Sequence, residues 1–490
     1  MEIRFLGATG RTTGSCHLLR VGGHGVLLDC GLVQGPRAES YRLNQRLGFA
    51  LDEVDAVVQS HAHVDHSGKL PMLVREGWSG PIHATHGTRD LCRILLRDCA
   101  HIMLKDAEHL NKKRMRHAVR SRRKRSRQKR WRERDEPESL GRADKPLTEV
   151  LPLYLDEDVQ ETMDLFTPHD YHEWFEAAPG MRLRFHDAGH ILGSAWVEAE
   201  LAERGRKVRL VFTGDYGRPQ PILRDPEPLT AAEVIVSEST YGDRLHEPIE
   251  GMEQGLRDAV GRLERRGKGR LLIPAFAVGR TQNLLYTLAR IFEQRPQGAI
   301  EVVVDSPLAT AATRIVASHP EYFDREALAV LRRWSENRSM RLRFTETVDD
   351  SKALNGDPRP TILISASGMM EAGRVLHHLA WNIGRGDCEI LVVGYQAQGT
   401  LGRRILEGAR EVNILGERYA VKARVTTLMG FSAHADRDGL LAALLPHVDH
   451  ARKLFLVHGE PEQRAPLAAT LRERGFREVL EPDDERAWEL

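Results

Sequence analysis

Ser60-His61-Ala62-His63-Val64-Asp65-His66 is the stretch whose reading decides the fold. It follows the apolar run Asp55 to Gln59, whose Ala56-Val57-Val58 reads as a buried strand. In a loop leaving a strand, residues two apart can point the same way, so His61 and His63 can share one ion. Asp65 and His66 then enter the next helix and turn toward a second ion. Zinc takes imidazole nitrogen and carboxylate oxygen, and a catalytic site leaves one position open for water. Four ligand-type residues within six positions point to a hydrolytic metal centre, against the alternative of a polar loop that happens to be rich in histidine.

Further ligands have to come from other strand ends. Ala188-Gly189-His190 follows a strand-like run and offers a ligand for the first ion. Phe212-Thr213-Gly214-Asp215 ends another, and Asp215 could bridge two ions through its two oxygens. Val457-His458-Gly459 ends the run Leu454 to Val457 and could complete the second site. Each is weak when taken singly, because a lone His at a strand end is more often structural. The remaining histidines, His83, His86, His377 and His378 among them, are read as structural.

Outward from these segments, short apolar β-rich runs recur: Ile3 to Leu6, Val26 to Leu28, Val208 to Phe212, Val234 to Val236, Leu271 to Ile273, Val302 to Val304, Ile362 to Ile364 and Ile390 to Val393. Several precede helix-like segments such as Thr281 to Arg290 and Gly373 to Trp381. The alternation predicts an α/β protein with helix-covered sheets. Residues 241–424 form a unit of their own, with the strand–helix alternation of a doubly wound sheet.

At 490 residues the chain is too long for one ordinary core. Hydrophobic residues at 41% and charged residues at 29% fit a globular protein. No signal-peptide h-region and no run of about 18 apolar residues is present, so a cytoplasmic location is the expectation. Cys16, Cys30, Cys92, Cys99 and Cys388 are odd in number and widely spaced, which argues for small buried hydrophobes over disulfides or a thiolate site. Between Lys112 and Arg134, fourteen of 23 residues are Lys or Arg and only Glu133 is acidic. That window carries +13, leaving −12 for the rest of a chain whose total is +1. The low-complexity stretch around it, about 105–146, continues a helix from Leu91 to Asp106 and is expected to be poorly ordered alone because like charges repel. It reads as an arm that grips nucleic acid through phosphates, the alternative being a solvated charge run. With Trp131 as its sole aromatic, base stacking is not its main device.

Leu28-Asp29-Cys30-Gly31, the His-x-His-x-Asp-His segment, His190 and Asp215 together resemble the metallo-β-lactamase superfamily. Ser237-Glu238-Ser239-Thr240-Tyr241-Gly242, Phe431-Ser432-Ala433-His434-Ala435-Asp436 and Val457-His458-Gly459-Glu460 look like the three extra motifs of its β-CASP nucleases. Pro274 to Arg280 and Ala366-Ser367-Gly368-Met369 are similar to segments of the RNA-processing branch, which includes the nuclease subunit of the pre-mRNA 3′-end cleavage machinery. The resemblance covers nearly the whole chain except the basic stretch.

The resemblance implies an αββα sandwich split in sequence by a β-CASP domain: residues 1–240, then 241–424, then 425–490. It implies that His61, His63, His190 and Asp215 bind a first zinc, and that Asp65, His66, Asp215 and His458 bind a second. Asp29 would orient ligands, and His434, held by Glu238, would protonate the leaving oxygen. Two zinc ions about 4 Å apart share a hydroxide and stabilise an in-line displacement, leaving a 5′-phosphate and a 3′-hydroxyl. Ser367, Gly368 and Met369, ahead of a helix, and the forked donors of Arg280 are candidate phosphate contacts, with ordinary turn chemistry as the alternative. The expected activity is a zinc-dependent ribonuclease, endonucleolytic or 5′-to-3′ exonucleolytic, on single-stranded RNA, with a homodimer among the assemblies allowed. A DNA nuclease, a non-catalytic RNA-binding subunit and a small-molecule esterase are the alternatives.

Overall fold

The computed structural model describes residues 1–35, 37–132, 149–293, 300–337, 340–483 and 486–490. Two seven-stranded sheets face each other. The first runs, in spatial order, Ala487–Glu489, Glu2–Phe5, His17–Val21, His24–Leu28, Ala56–Val58, Ile82–Thr85 and Phe166–His169. The second runs Val479–Leu480, Lys453–Val457, Val234–Glu238, Arg206–Phe212, Ala195–Glu203, Met181–Asp187 and Phe175–Ala178. Alternation along the strands decides which side chains meet between them. Ile3, Phe5, Leu19, Val26, Leu28 and Val58 pack there on Phe185, Val197, Leu210, Phe212, Val236 and Phe455.

The residues of opposite parity bind helices on the outer faces. Leu18, Leu27, Val57 and Ile82 pack beneath the helices Leu70–Arg75 and His86–Arg132. On the other side, Val211, Ile235, Leu454 and Leu456 pack beneath Arg437–Leu444 and Pro461–Glu473. The result is the αββα sandwich, and its last helices and strands come from the C-terminal part of the chain.

Between them in sequence lies a six-stranded, wholly parallel sheet: Arg341–Phe344, Glu301–Val304, Thr361–Ser365, Arg270–Pro274, Glu389–Val392 and Arg424–Thr427. Its four inner strands are buried and mostly apolar on both sides, as a parallel sheet covered by helices requires, and separate cores lie on its two faces. Its last strand straddles residue 424. The two parts are packed together: Ile222 and Leu223 of the sandwich share a core with Tyr286, Ala312, Tyr322 and Phe323 of the inserted part.

The apolar runs read from the sequence all form strands, while strands with mixed patterns, such as His17–Val21 and Met181–Asp187, are built by pairing with neighbours. The helix expected from Leu91 to Asp106 leads into the basic stretch. It continues through Arg132, with Asn111 exchanging two 2.9 Å hydrogen bonds with the backbone of Val150. Lys and Arg are good helix formers and no Gly or Pro interrupts Lys112 to Arg132, so repulsion does not end the helix there. The rest of that stretch, 133–148, lies outside the described residues. Among the described residues no helix is long and apolar enough to cross a membrane, and all five cysteines are free, four of them buried.

Candidate metal centre

Every predicted ligand sits in the turn immediately after a strand. His61 and His63 leave Ala56–Val58, Asp65 and His66 occupy the short helix Val64–Ser67, His190 follows Met181–Asp187, Asp215 follows Arg206–Phe212, and His458 follows Lys453–Val457. The strands end at one edge of the sandwich, so seven residues from four segments converge. Close backbone contacts fix the turns. Ser15 N–H donates to Asp65 O at 2.8 Å and Cys30 N–H to His66 O at 2.7 Å. Gly31 allows this, because a Cβ there would lie 1.7 Å from the Asp65 carbonyl oxygen. Gly214 adopts φ +50, and a Cβ would meet that of Ser60 at 2.7 Å. Asp29 and His458 hold left-handed backbone at φ 62 and 51, a conformation that costs non-glycine residues and concentrates at functional sites.

Two donor groups result. His61, His63, His190 and Asp215 place one ligand atom each within 4.8 Å of one another, and Asp65, His66 and His458 do the same. Asp215 faces both. Its Oδ2 is 3.4 Å from His61 Nε2 and 3.5 Å from His190 Nε2. Its Oδ1 is 3.2 Å from His66 Nε2 and 3.4 Å from His458 Nδ1. His63 Nδ1 lies 3.1 Å from His61 Nε2 and 3.2 Å from His190 Nε2. Four ligands about 2.05 Å from a central zinc make a tetrahedron with edges of ~3.3 Å, so the first group fits a zinc ion. Converging nitrogen lone pairs repel one another unless a cation lies among them. The buried Asp215 Oδ1 makes no hydrogen bond, which is the condition of an atom kept for a cation.

At the first donor group, burial favours the ligand-competent imidazoles, whereas in the second the burial of His66 is outweighed by Asp215 and Asp29, which raise its pKa. Burial holds the His61 and His190 imidazoles below their usual pKa and brings that of His63 down to about 3, so they present lone pairs. Burial opposes ionisation of Asp215, but the histidines around it hold its carboxyl well below the usual range. Asp29 is fully buried and serves as an anchor. Its oxygens accept from His66 Nδ1 at 2.7 Å, Ser60 N–H at 2.8 Å, Ser60 Oγ at 2.9 Å and Gln59 Nε2 at 3.2 Å. The sequence reading missed Ser60, Gln59 and Thr240, whose Oγ1 lies 3.1 Å from His458 Nδ1. Each neighbours a motif residue, and that adjacency was the available signal.

Beside the donors, both oxygens of Glu238 lie 3.1 Å from His434 Nδ1. Glu238 is itself fixed by the Tyr216 N–H at 2.6 Å. His434 Nε2 is thereby aimed into the centre, 3.8 Å from Asp215 Oδ2. Burial works against the charged ring, but Glu238 and Asp215 raise its pKa to about 9.

The four candidate phosphate contacts belong to the inserted sheet. Ser367, Gly368 and Met369 form a tight turn after Thr361–Ser365; Ser367 Oγ accepts from Glu371 N–H at 3.2 Å, and Gly368 O accepts from Gln396 Nε2 at 3.0 Å. Arg280 starts the helix Arg280–Glu293, donates to the Val393 carbonyl, and lies 6.0 Å over Phe431. Burial lowers its pKa to about 10. The loop before it abuts the metal ligands: a Cβ on Gly279 would lie 3.3 Å from Ile191, the neighbour of His190. Asn283 donates to Gln220 at 2.9 Å, and Gln220 donates to the carbonyls of Gly189 and His190 at 2.6 and 2.8 Å.

The family profiles match in three pieces: the metallo-beta-lactamase superfamily over residues 9–98, the Beta-Casp domain over 281–405, and the Zn-dependent metallo-hydrolase RNA specificity domain over 418–481. Ribonuclease TTHA0252 of Thermus thermophilus is 36% identical across 97% of both chains. Transcription termination factor FttA of Methanothermobacter thermautotrophicus is 31% identical over 93% of this chain, which spans 66% of that longer protein. A crystal structure of a protein of unknown function from Enterococcus faecalis V583 shares the fold, with a TM-score of 0.53, 12% identity and 99% of both chains covered. With these motifs placed on one αββα edge and these relatives spanning almost its whole length, the chain belongs to the β-CASP ribonucleases of the metallo-β-lactamase superfamily.

Proposed function

We propose that the protein hydrolyses single-stranded RNA with two zinc ions, leaving a 5′-phosphate and a 3′-hydroxyl. The observation that carries this reading is Asp215, whose two oxygens each face a separate donor group. His61, His63, His190 and Asp215 would hold one ion, and Asp65, His66, Asp215 and His458 the other. Two zinc ions held there would activate water near neutral pH and neutralise charge on the phosphoryl oxygens. Asp29 orients His66, leaving its Nε2 free to act as a ligand. His434 donates a proton from Nε2 to the departing 3′-oxygen, while Glu238 holds its Nδ1.

For the substrate, the turn Ser367-Gly368-Met369 offers a hydroxyl and backbone amides to a phosphate. Arg280 spends part of its fork on Val393, so its first task is to hold the loop, and its remaining donors face phosphate. Phe276 is 41% exposed and packs at the position a Gly368 Cβ would fill, giving a base a flat apolar face beside the cleft. The basic segment 112–134 adds a nonspecific phosphate grip. We divide the chain at 240 and 424; the separate sheets support an inserted unit, whose last strand, Arg424–Thr427, runs past the second boundary. The free cysteines suit a reducing cytoplasm. A homodimer is not needed to complete the site, since every donor comes from one chain.

The test uses zinc-loaded protein with end-labelled single-stranded RNA and DNA carrying 5′-triphosphate or 5′-monophosphate. Cleavage of RNA to 5′-phosphate products, about two zinc per chain, and loss of both metal and activity in Asp215→Ala are expected. Cleavage of DNA in preference to RNA would overturn the substrate assignment, and full metal retention in Asp215→Ala would overturn the bridging role.

A further inference from the structure

His172, His186 and Glu227 form a second convergence of metal-type donors, distinct from the centre already described. His172 lies in the loop before Phe175–Ala178, His186 on Met181–Asp187, and Glu227 on the segment after Asp215. His172 Nε2 is 3.2 Å from Glu227 Oε1, and His186 Nδ1 is 3.3 Å from Glu227 Oε2. One donor atom of each lies within 4.8 Å of the other two. The two spacings run to different oxygens of Glu227, so that carboxylate faces both imidazoles at once.

His186 is held at both ring nitrogens, each facing a carboxylate. Its Nε2 faces the buried Glu198 at 3.1 Å, and Glu198 is fixed by Arg184 Nε at 2.8 Å. Trp196 stacks on the ring at 3.9 Å and 2°. The strand register creates this: Arg184 pairs with Glu198 and His186 with Trp196, so the carboxylate is the diagonal neighbour of the ring. A carboxylate on one imidazole nitrogen, with the other turned to a shared point, is the arrangement that orients metal-ligating histidines. His172, in left-handed backbone at φ 68, is tied by its N–H to Phe185 O at 2.8 Å, which turns its ring onto His186 at 5.0 Å. The nearby cations are already engaged: Arg184 and Arg209 face Glu198, and Arg224 faces Asp187 at 3.4 Å.

We propose that His172, His186 and Glu227 bind a third zinc ion, with water in the remaining position. Zinc takes each imidazole through an unprotonated ring nitrogen, so metal and protons compete for these donors. The ion acts as a staple on the segment that supports the main centre. Glu227 O accepts from Tyr216 Oη at 2.9 Å and Trp196 Nε1 at 3.1 Å, and Glu227 N–H donates to Asp187 O at 2.9 Å. Tyr216 and Asp187 flank Asp215 and the His190 turn.

The full-length protein is equilibrated at micromolar free zinc, and bound metal is counted by mass spectrometry for the parent, His172→Asn and Glu227→Gln. Asn tolerates the left-handed backbone at 172. The parent is expected to hold one zinc more than either variant, and its melting temperature to rise more on zinc addition. The main centre cancels in this difference, so the result stands whether that centre holds one ion or two. Equal zinc counts in the parent and both variants, each folded by circular dichroism, would overturn the proposal.

Discussion

Asp215 and His434 show how single side chains acquire function from their surroundings. Asp215 is an ordinary carboxylate at a strand end until two donor groups arrive on either side of it. The proton-donor role proposed for His434 rests on Glu238, which occupies its other nitrogen and is itself pinned by the Tyr216 amide. General acid catalysis contributes about 10²–10⁴-fold, so His434→Ala is expected to slow RNA cleavage by about that factor. Since His434 is not a ligand, zinc should stay near the parental count. Single-turnover rates and metal analysis on the same preparation check both; unchanged cleavage would remove the general-acid role.

At the scale of elements, the sandwich uses one device repeatedly: a strand buried between layers, then a turn carrying the donor. The turns are specified by close approaches such as Gly31 on Asp65, which leave no room for a side chain. The helix His86–Arg132 works differently. Its first turns are packed through Leu91, Cys92 and Leu96, whereas the sequence from Lys112 onward carries dense positive charge. Single-stranded phosphate contacts contribute a salt slope of about −0.7 each. Deleting 112–134 is therefore expected to weaken RNA binding most at low salt and to flatten its salt dependence. Binding isotherms over a salt series check this, and identical slopes would leave the segment without a role in RNA binding.

Across the whole molecule, the inserted parallel sheet places its loops beside the metal ligands. Gln220 couples Asn283 of one part to the backbone of His190 in the other, and Gly279 rests near Ile191. Phe276 lies in that same loop with its ring half exposed. Stacking of a base on an aromatic ring is worth ~1–3 kcal/mol, so Phe276→Ala should weaken single-stranded RNA binding by about 5- to 150-fold. Zinc content should not move, because no ligand is touched. Fluorescence anisotropy with labelled RNA measures the effect, and unaltered affinity would place the base path elsewhere.

The candidate donors and most of the strands that carry them were legible in the sequence. His61 to His66, Asp215 and His458 each follow an apolar run and His190 follows an alternating strand-like one, and in each case the run and its donor are contiguous in the chain. Local periodicity is therefore enough to find them. Strands with mixed patterns, such as His17–Val21, escaped that reading because their burial depends on what pairs with them. Only the tertiary structure decided which donors meet. His66 and His458 are 392 residues apart yet 3.1 Å between ring nitrogens, and that distance is set by packing one sheet on the other. It also decided that Arg280 is committed to a carbonyl and that His172 and His186 stand against Glu227. Nothing in the spacing of those residues signals the last convergence. It arises from a loop, a strand and a distant segment brought together by the sheet, an outcome of non-local pairing that no contiguous pattern encodes.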